Sequence, residues 1–141
     1  MLSKLITLIF ILVGGCDAPR RGVMVTREAD HYVVSLLNCG PPRWGNPPVW
    51  EVNVGKFHSN ESIDVQCKLM VSFKQGDGGD DSLKQWHFGS QPKGYNLEHC
   101  APLEPDTTYE VNIFARPGLA KGHFTVNSNG DVTMIDGPCR R

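Results

Sequence analysis

Residues 63–73, Ile63-Asp-Val-Gln-Cys-Lys-Leu-Met-Val-Ser-Phe73, contain the pattern that decides the fold. Every second residue from Ile63 to Phe73 is apolar, and most of the residues between them are polar or charged. Successive side chains of a β-strand point to opposite faces, so this stretch predicts a strand with one face in a core and the other in solvent.

Similar runs occur on both sides of this strand, and Gly and Pro number 15 and 10 of the 141 residues. Within the last run, Asn129-Gly130 predicts a two-residue hairpin turn, because both residue types can take positive φ. No stretch beyond the N-terminus shows a helical apolar period. We therefore predict an all-β fold of seven to nine strands, an antiparallel sandwich or barrel. The other predicted runs are His31–Leu37, Val49–Val54, Leu83–Phe88, Tyr95–Cys100, Thr108–Ala115 and His123–Ile135.

The N-terminus has the three parts of a secretory signal: one positive charge at Lys4, an apolar run over Leu5–Val13, and small residues before Cys16. The apolar run is about half of the ~20 residues that a membrane-spanning helix needs. Val13-Gly-Gly-Cys16 resembles the lipobox of bacterial lipoproteins. That resemblance implies that residues 1–15 are a lipoprotein signal peptide and that Cys16 carries a diacylglycerol anchor after cleavage.

Ordinary cleavage after Ala18 is the alternative, although it would leave Pro19 directly after the cut, where its ring fits a peptidase poorly. An uncleaved or non-bacterial segment also stays open. On the lipobox interpretation, residues 16–22 form the lipidated N-terminus and a short tether, and residues 23–141 form one domain. Asp17 resembles the signal that retains lipoproteins in the inner membrane of enteric bacteria, and the choice between inner and outer membrane stays open.

The cysteine count agrees with the lipobox. An odd number of cysteines in an exported protein leaves a free thiol or an intermolecular bridge. If Cys16 takes the lipid, four remain, and in an oxidising compartment we expect them to form two disulfides, for which three pairings are open. None of them belongs to a C-x-x-C pair, so signatures of zinc, redox and haem sites are missing. The five cysteines are Cys16, Cys39, Cys67, Cys100 and Cys139.

Leu103-Glu-Pro-Asp-Thr-Thr-Tyr-Glu-Val111 resembles the segment before strand F of fibronectin type III domains, an immunoglobulin-like β-sandwich family. The resemblance implies that Leu103 closes one end of the sandwich and that the Tyr109 hydroxyl bonds upstream backbone as a tyrosine corner. It also implies an extra strand after Asn129-Gly130. The implied strands are B at 33–42, C at 48–54, C′ at 63–73, E at 95–100, F at 109–115 and G at 123–127.

The chain departs from this family at one position of strand B. A core tryptophan is usual there, and this chain has Cys39. Trp50 or Trp86 would then have to supply the core aromatic residue. The resemblance to fibronectin type III domains also implies a disulfide pairing. Strand B and the extra strand end at one pole of the sandwich, which brings Cys39 towards Cys139. Strand C′ begins and strand E ends at the opposite pole, which brings Cys67 towards Cys100.

Motifs for catalysis, metal binding and nucleic-acid binding are weak or missing. The five histidines form no i, i+2 or i, i+4 pair, and no G-x-S-x-G elbow is present. Asp77, Asp80 and Asp81 could ligate Ca²⁺, but they lack the spacing of an EF-hand loop, and we favour a solvated turn. The formal net charge of −1 provides no basic stripe for nucleic acid. We therefore expect no catalytic residues, no metal and no cofactor.

Arg43 and Trp44, in the proline-rich loop 40–48, are the candidate partner-binding residues, since Trp and Arg commonly anchor interfaces. The alternative is that Trp44 folds inward over the end of the domain. The predicted function is a membrane-anchored envelope lipoprotein, facing the periplasm or the exterior, that binds or scaffolds a protein or glycan partner without catalysis. An envelope enzyme or metal-dependent accessory factor, and a secretion, adhesion or immunity component, are the alternatives.

Overall fold

The structure is a computed structural model that describes residues 21–39, 48–59, 62–72, 83–115 and 118–139. Within these residues the chain forms nine β-strands and no helix. The strands are β1 (Arg21–Glu28), β2 (His31–Asn38), β3 (Val49–Phe57), β4 (Ile63–Val71), β5 (Gln85–His87), β6 (Tyr95–Cys100), β7 (Thr107–Ala115), β8 (Leu119–Val126) and β9 (Val132–Met134).

The strands form two antiparallel sheets, one of three strands in the order β1-β2-β5 and one of six in the order β6-β4-β3-β7-β8-β9. Alternate residues of both sheets bury apolar side chains in one shared core, for example Val23 and Val34 from the small sheet and Val52, Val111 and Phe124 from the large one. The predicted antiparallel sandwich is therefore confirmed, and β9 is the extra C-terminal strand.

The sequence offered Trp50 and Trp86 as candidates for the core aromatic residue. Trp86, on β5, is the one in the core. Its ring is 1% exposed, whereas Trp50 is 40% exposed. The indole N–H of Trp86 donates a hydrogen bond to the backbone oxygen of Ser90 at 2.9 Å, so burial leaves this polar group satisfied.

Tyr95–Cys100, implied to be strand E, does not take the place that strand E has in immunoglobulin-like sandwiches, beside strand B. Strand β2 pairs with β1 and with β5, where Val34 lies opposite Trp86, and Tyr95–Cys100 forms β6 at the edge of the large sheet, paired with β4. Two contacts explain the difference. Trp86 fills the core beside β2, and the buried Tyr95 donates its hydroxyl hydrogen to the backbone oxygen of Val49 on β3 at 2.6 Å, which holds β6 to the large sheet.

Strand β1 was not among the predicted runs. It pairs with β2 over its whole length, beginning at Arg21↔Asn38, so Arg21 and Gly22 are part of the sheet. A side chain at position 22 would have no room, because a Cβ there would overlap the backbone oxygen of Pro138. Glycine at this position lets the C-terminal segment cross the start of β1.

The tyrosine corner is formed as the resemblance implies. Tyr109 is fully buried, and its hydroxyl oxygen accepts a hydrogen bond from the backbone N–H of Glu104 at 2.7 Å. Leu103 packs against the edge of the core. The turn before β7 is therefore bonded to the strand that follows it.

The β8–β9 hairpin is confirmed, but its predicted two-residue turn is wrong. The connection covers residues 127–131, and of Asn129 and Gly130 only Gly130 has positive φ, at 82°. The reason is the Asn127 side chain, whose Oδ1 accepts hydrogen bonds from the backbone N–H groups of Asn129 and Asp131 at 2.9 and 2.8 Å. This local bonding stabilises a longer turn.

Both cysteine pairs are the expected ones. Cys39 is bonded to Cys139, with 5.4 Å between their Cα atoms, and Cys67 is bonded to Cys100 at 3.9 Å. Cys67 and Cys100 lie opposite each other on the neighbouring strands β4 and β6. The pair is therefore a cross-strand bridge within one sheet.

Candidate functional site

The residues that the sequence singled out for function mostly lie outside the described part of the chain. This holds for the lipidation site Cys16, for the partner-binding candidates Arg43 and Trp44, and for the acidic loop Asp77–Asp81. Of the five histidines, His123 lies in a network of charged side chains, and the others do not converge on it.

A network of charged and amide side chains lies on the outer face of the six-stranded sheet, and it was not predicted from the sequence. Glu51-Val-Asn53 on β3 and Glu110-Val-Asn112 on β7 carry the same three residues on adjacent strands. Asn53 lies directly opposite Asn112, so the two segments are related by a local two-fold arrangement. The signal was this repeated E-V-N, preceded by an aromatic residue and followed by Val or Ile.

Each asparagine of this pair bonds the glutamate two residues before it. The side-chain amide of Asn53 donates to Glu51 Oε1 at 2.6 Å, and that of Asn112 donates to Glu110 Oε1 at 2.7 Å. The side-chain amide oxygens (Oδ1) of the same two residues, Asn53 and Asn112, are buried and have no hydrogen-bond partner among the described residues. Unpaired buried oxygens cost free energy, so the network is held by its charged bonds in spite of these two atoms.

Lysines flank both glutamates. Lys121 Nζ lies 3.5 Å from Glu110 Oε1, and Lys68 Nζ lies 3.9 Å from Glu51 Oε1 and 3.6 Å from Glu98 Oε2. The charges on this face are therefore matched locally.

His123 on β8 contacts Glu110 with one ring nitrogen and Asp136 with the other. Its ring Nε2 lies 2.9 Å from Glu110 Oε2, and its Nδ1 lies 2.6 Å from Asp136 Oδ2. The ring also meets Phe57 edge-on, with the centroids 4.8 Å apart. His123 therefore links the central strand β7 to the segment that follows β9.

The pKa of Glu110 lies below its usual value although the residue is only 7% exposed. Burial on its own raises the pKa of this carboxyl. The hydrogen bonds from Asn112 and His123 and the positive charge of Lys121 act in the opposite direction and outweigh burial. Glu110 is thus an ionised carboxylate at neutral pH, held by several donors.

Beside this network lies a group of apolar side chains, the exposed Trp50 and Leu119 and the half-buried Phe114, which we call the apolar patch. The rings of Trp50 and Phe114 are 5.5 Å apart, and Leu119 lies opposite Phe114 on β8. Trp50 and Leu119 are 40% and 49% exposed. The β3–β7 register shifts between Val49 and Glu51, so two residues oppose Phe114, and this bulge turns Trp50 out of the core.

The polar groups of the charged network are turned towards one another. Both ring nitrogens of His123 face carboxylates, Nδ1 that of Asp136 and Nε2 that of Glu110. In the described ranges, no group of three or more His, Cys, Asp or Glu side chains could hold a metal ion. The face instead combines an apolar contact surface with polar groups that are already bonded to one another.

No protein-family model matches this chain, and neither a curated protein nor a solved structure matches it. The likeness to fibronectin type III domains therefore stays a prediction that rests on Leu103–Val111. No helix among the described residues is long and apolar enough to cross a membrane.

Proposed function

We propose that this protein is a membrane-anchored lipoprotein of the bacterial envelope whose sandwich domain binds a protein partner through the apolar patch, without catalysing a reaction. The observation that carries the binding role is the outward position of Trp50, next to Phe114 and Leu119. A bulge in a central strand exposes a large aromatic ring that the core would otherwise bury, and bulges commonly re-aim a side chain at a functional surface.

The chemistry of the patch favours a protein over a glycan. Protein–protein hot spots usually contain an aromatic residue that the partner buries, with polar groups around it. A glycan needs free hydrogen-bonding groups for its hydroxyls, whereas the Glu51 and Glu110 carboxylates beside the patch are already bonded by asparagine and lysine. Apolar contact is what this face offers to a partner.

The proposed location rests on Cys16 and on the other four cysteines. The two disulfides account for Cys39, Cys67, Cys100 and Cys139, and disulfides persist in oxidising compartments. They leave Cys16 as the cysteine available for lipid. Two acyl chains on Cys16 would give stable membrane attachment, which a single chain does not.

Cross-linking in the cell envelope tests the binding role with a matched pair of variants. We expect Trp50→Ala to lose the cross-linked protein partner that the unchanged chain captures, as measured by quantitative mass spectrometry. Phe57→Ala is the control, because Phe57 lies at the other end of β3 and is also 40% exposed. Equal capture by both variants would refute the role of the patch, and loss of a bound glycan in place of a protein would refute the choice of partner.

The anchor has its own test. Cys16→Ser should abolish incorporation of labelled fatty acid and release the protein from the membrane fraction. Peptide mapping of both disulfides in the same sample shows that the domain still folds. Continued labelling of the Cys16→Ser chain would overturn the lipoprotein assignment.

A further inference from the structure

The turn between β8 and β9 contains the one Asn-Gly pair of the sequence, Asn129-Gly130. Asparagine followed by glycine is the pair at which the side-chain amide is lost most readily without an enzyme, because glycine has no side chain to hinder the backbone nitrogen that attacks it. Asn129 is exposed to solvent in this turn. The sequence therefore places a reactive amide at the surface, and the contacts of the turn decide whether it reacts.

Deamidation begins when the backbone nitrogen of Gly130 attacks the side-chain amide carbon (Cγ) of Asn129. A bond forms between these two atoms, the nitrogen gives up its proton, and the side-chain amide leaves as ammonia. The product is a cyclic imide, and a water molecule then opens the ring to aspartate or to isoaspartate. The reaction therefore needs a Gly130 nitrogen that can lose its proton and an Asn129 side chain that can fold back over the following peptide bond.

All four backbone polar groups of Asn129 and Gly130 are hydrogen-bonded in the structure. The N–H of Asn129 donates to Oδ1 of Asn127 at 2.9 Å, and the N–H of Gly130 donates to the backbone oxygen of Asn127 at 3.0 Å. The backbone oxygen of Asn129 accepts a hydrogen bond from Nη1 of Arg27 at 2.6 Å. That of Gly130 accepts one from the Tyr32 hydroxyl at 3.0 Å. The peptide unit that must react is therefore held at each of its polar atoms.

The hydrogen bond of the Gly130 N–H opposes the reaction directly. The attacking nitrogen directs its proton at the backbone oxygen of Asn127, so this bond must break before the proton can leave. Breaking hydrogen bonds in a folded protein costs free energy, and the reactive geometry is reached only in molecules whose turn has opened locally. The free energy of opening the turn therefore sets the rate of deamidation.

Arg27 and Tyr32 raise the cost of opening because they belong to the other sheet. Arg27 lies on β1 and Tyr32 on β2, whereas the turn joins two strands of the large sheet. Nη1 of Arg27 also pairs with Oδ1 of Asp131 at 3.2 Å, and hydrogen bonds from a charged donor are stronger than those between neutral groups. A Cβ at position 130 would lie 3.0 Å from Arg27 Nη1 and 3.2 Å from the Tyr32 hydroxyl oxygen, so both side chains pack closely on the turn.

We propose that Asn129 is a latent deamidation site, which Arg27 and Tyr32 keep unreactive while the domain is folded. When the turn opens, Asn129 converts to aspartate or isoaspartate. Isoaspartate continues the chain through its side-chain carbon, which lengthens the backbone and displaces the oxygen that Arg27 binds. The conversion therefore loosens the two sheets at this end of the sandwich and does not reverse. This site does not depend on the proposed binding function.

Incubation of the full, disulfide-bonded chain at mildly alkaline pH tests the proposal. Peptide mapping by mass spectrometry measures the conversion of Asn129 to aspartate and isoaspartate over time. We expect the folded protein to convert at least about tenfold more slowly than the same chain unfolded in denaturant, because local opening limits the reaction. Equal rates in the folded and unfolded chains would overturn the proposal.

Two variants test the roles of Arg27 and Tyr32. In the folded protein, Arg27→Ala should raise the rate about tenfold because it removes a charged donor, and Tyr32→Phe should raise it about threefold because it removes a neutral one. The positive charge of Arg27 also makes the N–H of Gly130 more acidic, which acts in the opposite direction. An unchanged or slower rate in Arg27→Ala would show that Arg27 does not protect Asn129, and it would refute the proposal.

Lys56→Ala is the matched control. The Lys56 side chain is 28% exposed and pairs with Glu104 at 2.6 Å, and the Arg27 side chain is 34% exposed. Lys56→Ala therefore removes a comparable surface ion pair whose two residues lie outside the turn, and the rate at Asn129 should equal that of the unchanged chain. A rate increase as large as that of Arg27→Ala would assign the effect to overall stability and refute the specific role of Arg27.

Discussion

The segments Trp50-Glu-Val-Asn-Val54 and Tyr109-Glu-Val-Asn-Ile113 have nearly the same sequence and adjacent positions in one sheet, yet their aromatic residues point in opposite directions. Tyr109 is fully buried in the core, and Trp50 is exposed on the outer face. Since the E-V-N residues match, the difference comes from the backbone before them. A local pattern thus determines the strand, while a neighbouring strand determines which face an aromatic residue takes.

The backbone difference is the bulge at Trp50. In β7 the alternation is regular, so Tyr109 and Val111 point inward together and the Tyr109 hydroxyl reaches the backbone of Glu104. In β3 the extra residue places Trp50 and Glu51 on the same side, opposite Phe114. The bulge therefore places Trp50 on the surface, whereas regular alternation would place it in the core.

The two glutamates differ as well. Glu110 is held by Asn112, Lys121 and His123, and it is nearly inaccessible to solvent. Among the described residues, Glu51 accepts a hydrogen bond from Asn53 at 2.6 Å, and Lys68 lies 3.9 Å away. The β7 segment is thus fixed by more side-chain bonds than the β3 segment.

The largest expected effect comes from truncating the two aromatic residues. Tyr109→Ala should lower the free energy of unfolding by about 3–5 kcal/mol, because it leaves a cavity in the core. Trp50→Ala should lower it by less than about 1 kcal/mol, as for most exposed positions. Denaturant unfolding measures both. Tyr109→Phe, which removes only the hydroxyl, should lie between them at about 1–2 kcal/mol. Equal losses for the two alanine variants would contradict the assigned roles.

A smaller difference is expected for the glutamates. Glu110→Gln should cost about 2 kcal/mol of unfolding free energy, since it weakens charge-assisted bonds from groups that stay buried. Glu51→Gln makes the same change on the partner strand and should cost less than about 1 kcal/mol, because its ion pair is partly exposed. Thermal unfolding at pH 7 compares the pair, and a larger loss for Glu51→Gln would reverse the comparison.

The smallest expected effect concerns how the free energy of unfolding falls at acidic pH in the Glu110→Gln variant. The pKa of Glu110 is lower in the folded protein than in the unfolded chain, so its contribution is fully present above the unfolded value and is lost as pH falls through the folded one. Below about pH 4, Glu110→Gln should therefore lose stability less steeply than the unchanged protein. Chemical denaturation between pH 7 and pH 2 measures the slopes. Parallel curves would show that Glu110 is not specially stabilised as a carboxylate.

Most strands and both disulfides could be predicted from the sequence, because alternation and cysteine placement are local or follow from a known frame. The alternation over Ile63–Val71 and the Leu103–Val111 turn needed no knowledge of distant residues. The position of β6 could not be predicted in this way, since it depends on the hydrogen bond from the Tyr95 hydroxyl to the backbone oxygen of Val49, which is far away in the sequence. The outer network was missed for the same reason: Asn53 and Asn112 come together only through the β3–β7 register.

The Cys39–Cys139 bridge makes most of the domain a covalent ring. Its two cysteines are 100 residues apart, and the Cys67–Cys100 bridge closes a smaller ring of separation 33 inside it. A protease that cuts the backbone once between Cys39 and Cys139 opens the ring but releases no fragment, because both pieces stay joined through sulfur. If Cys16 carries lipid, the nicked domain would stay on the membrane surface, and reduction would be needed to shed the distal piece.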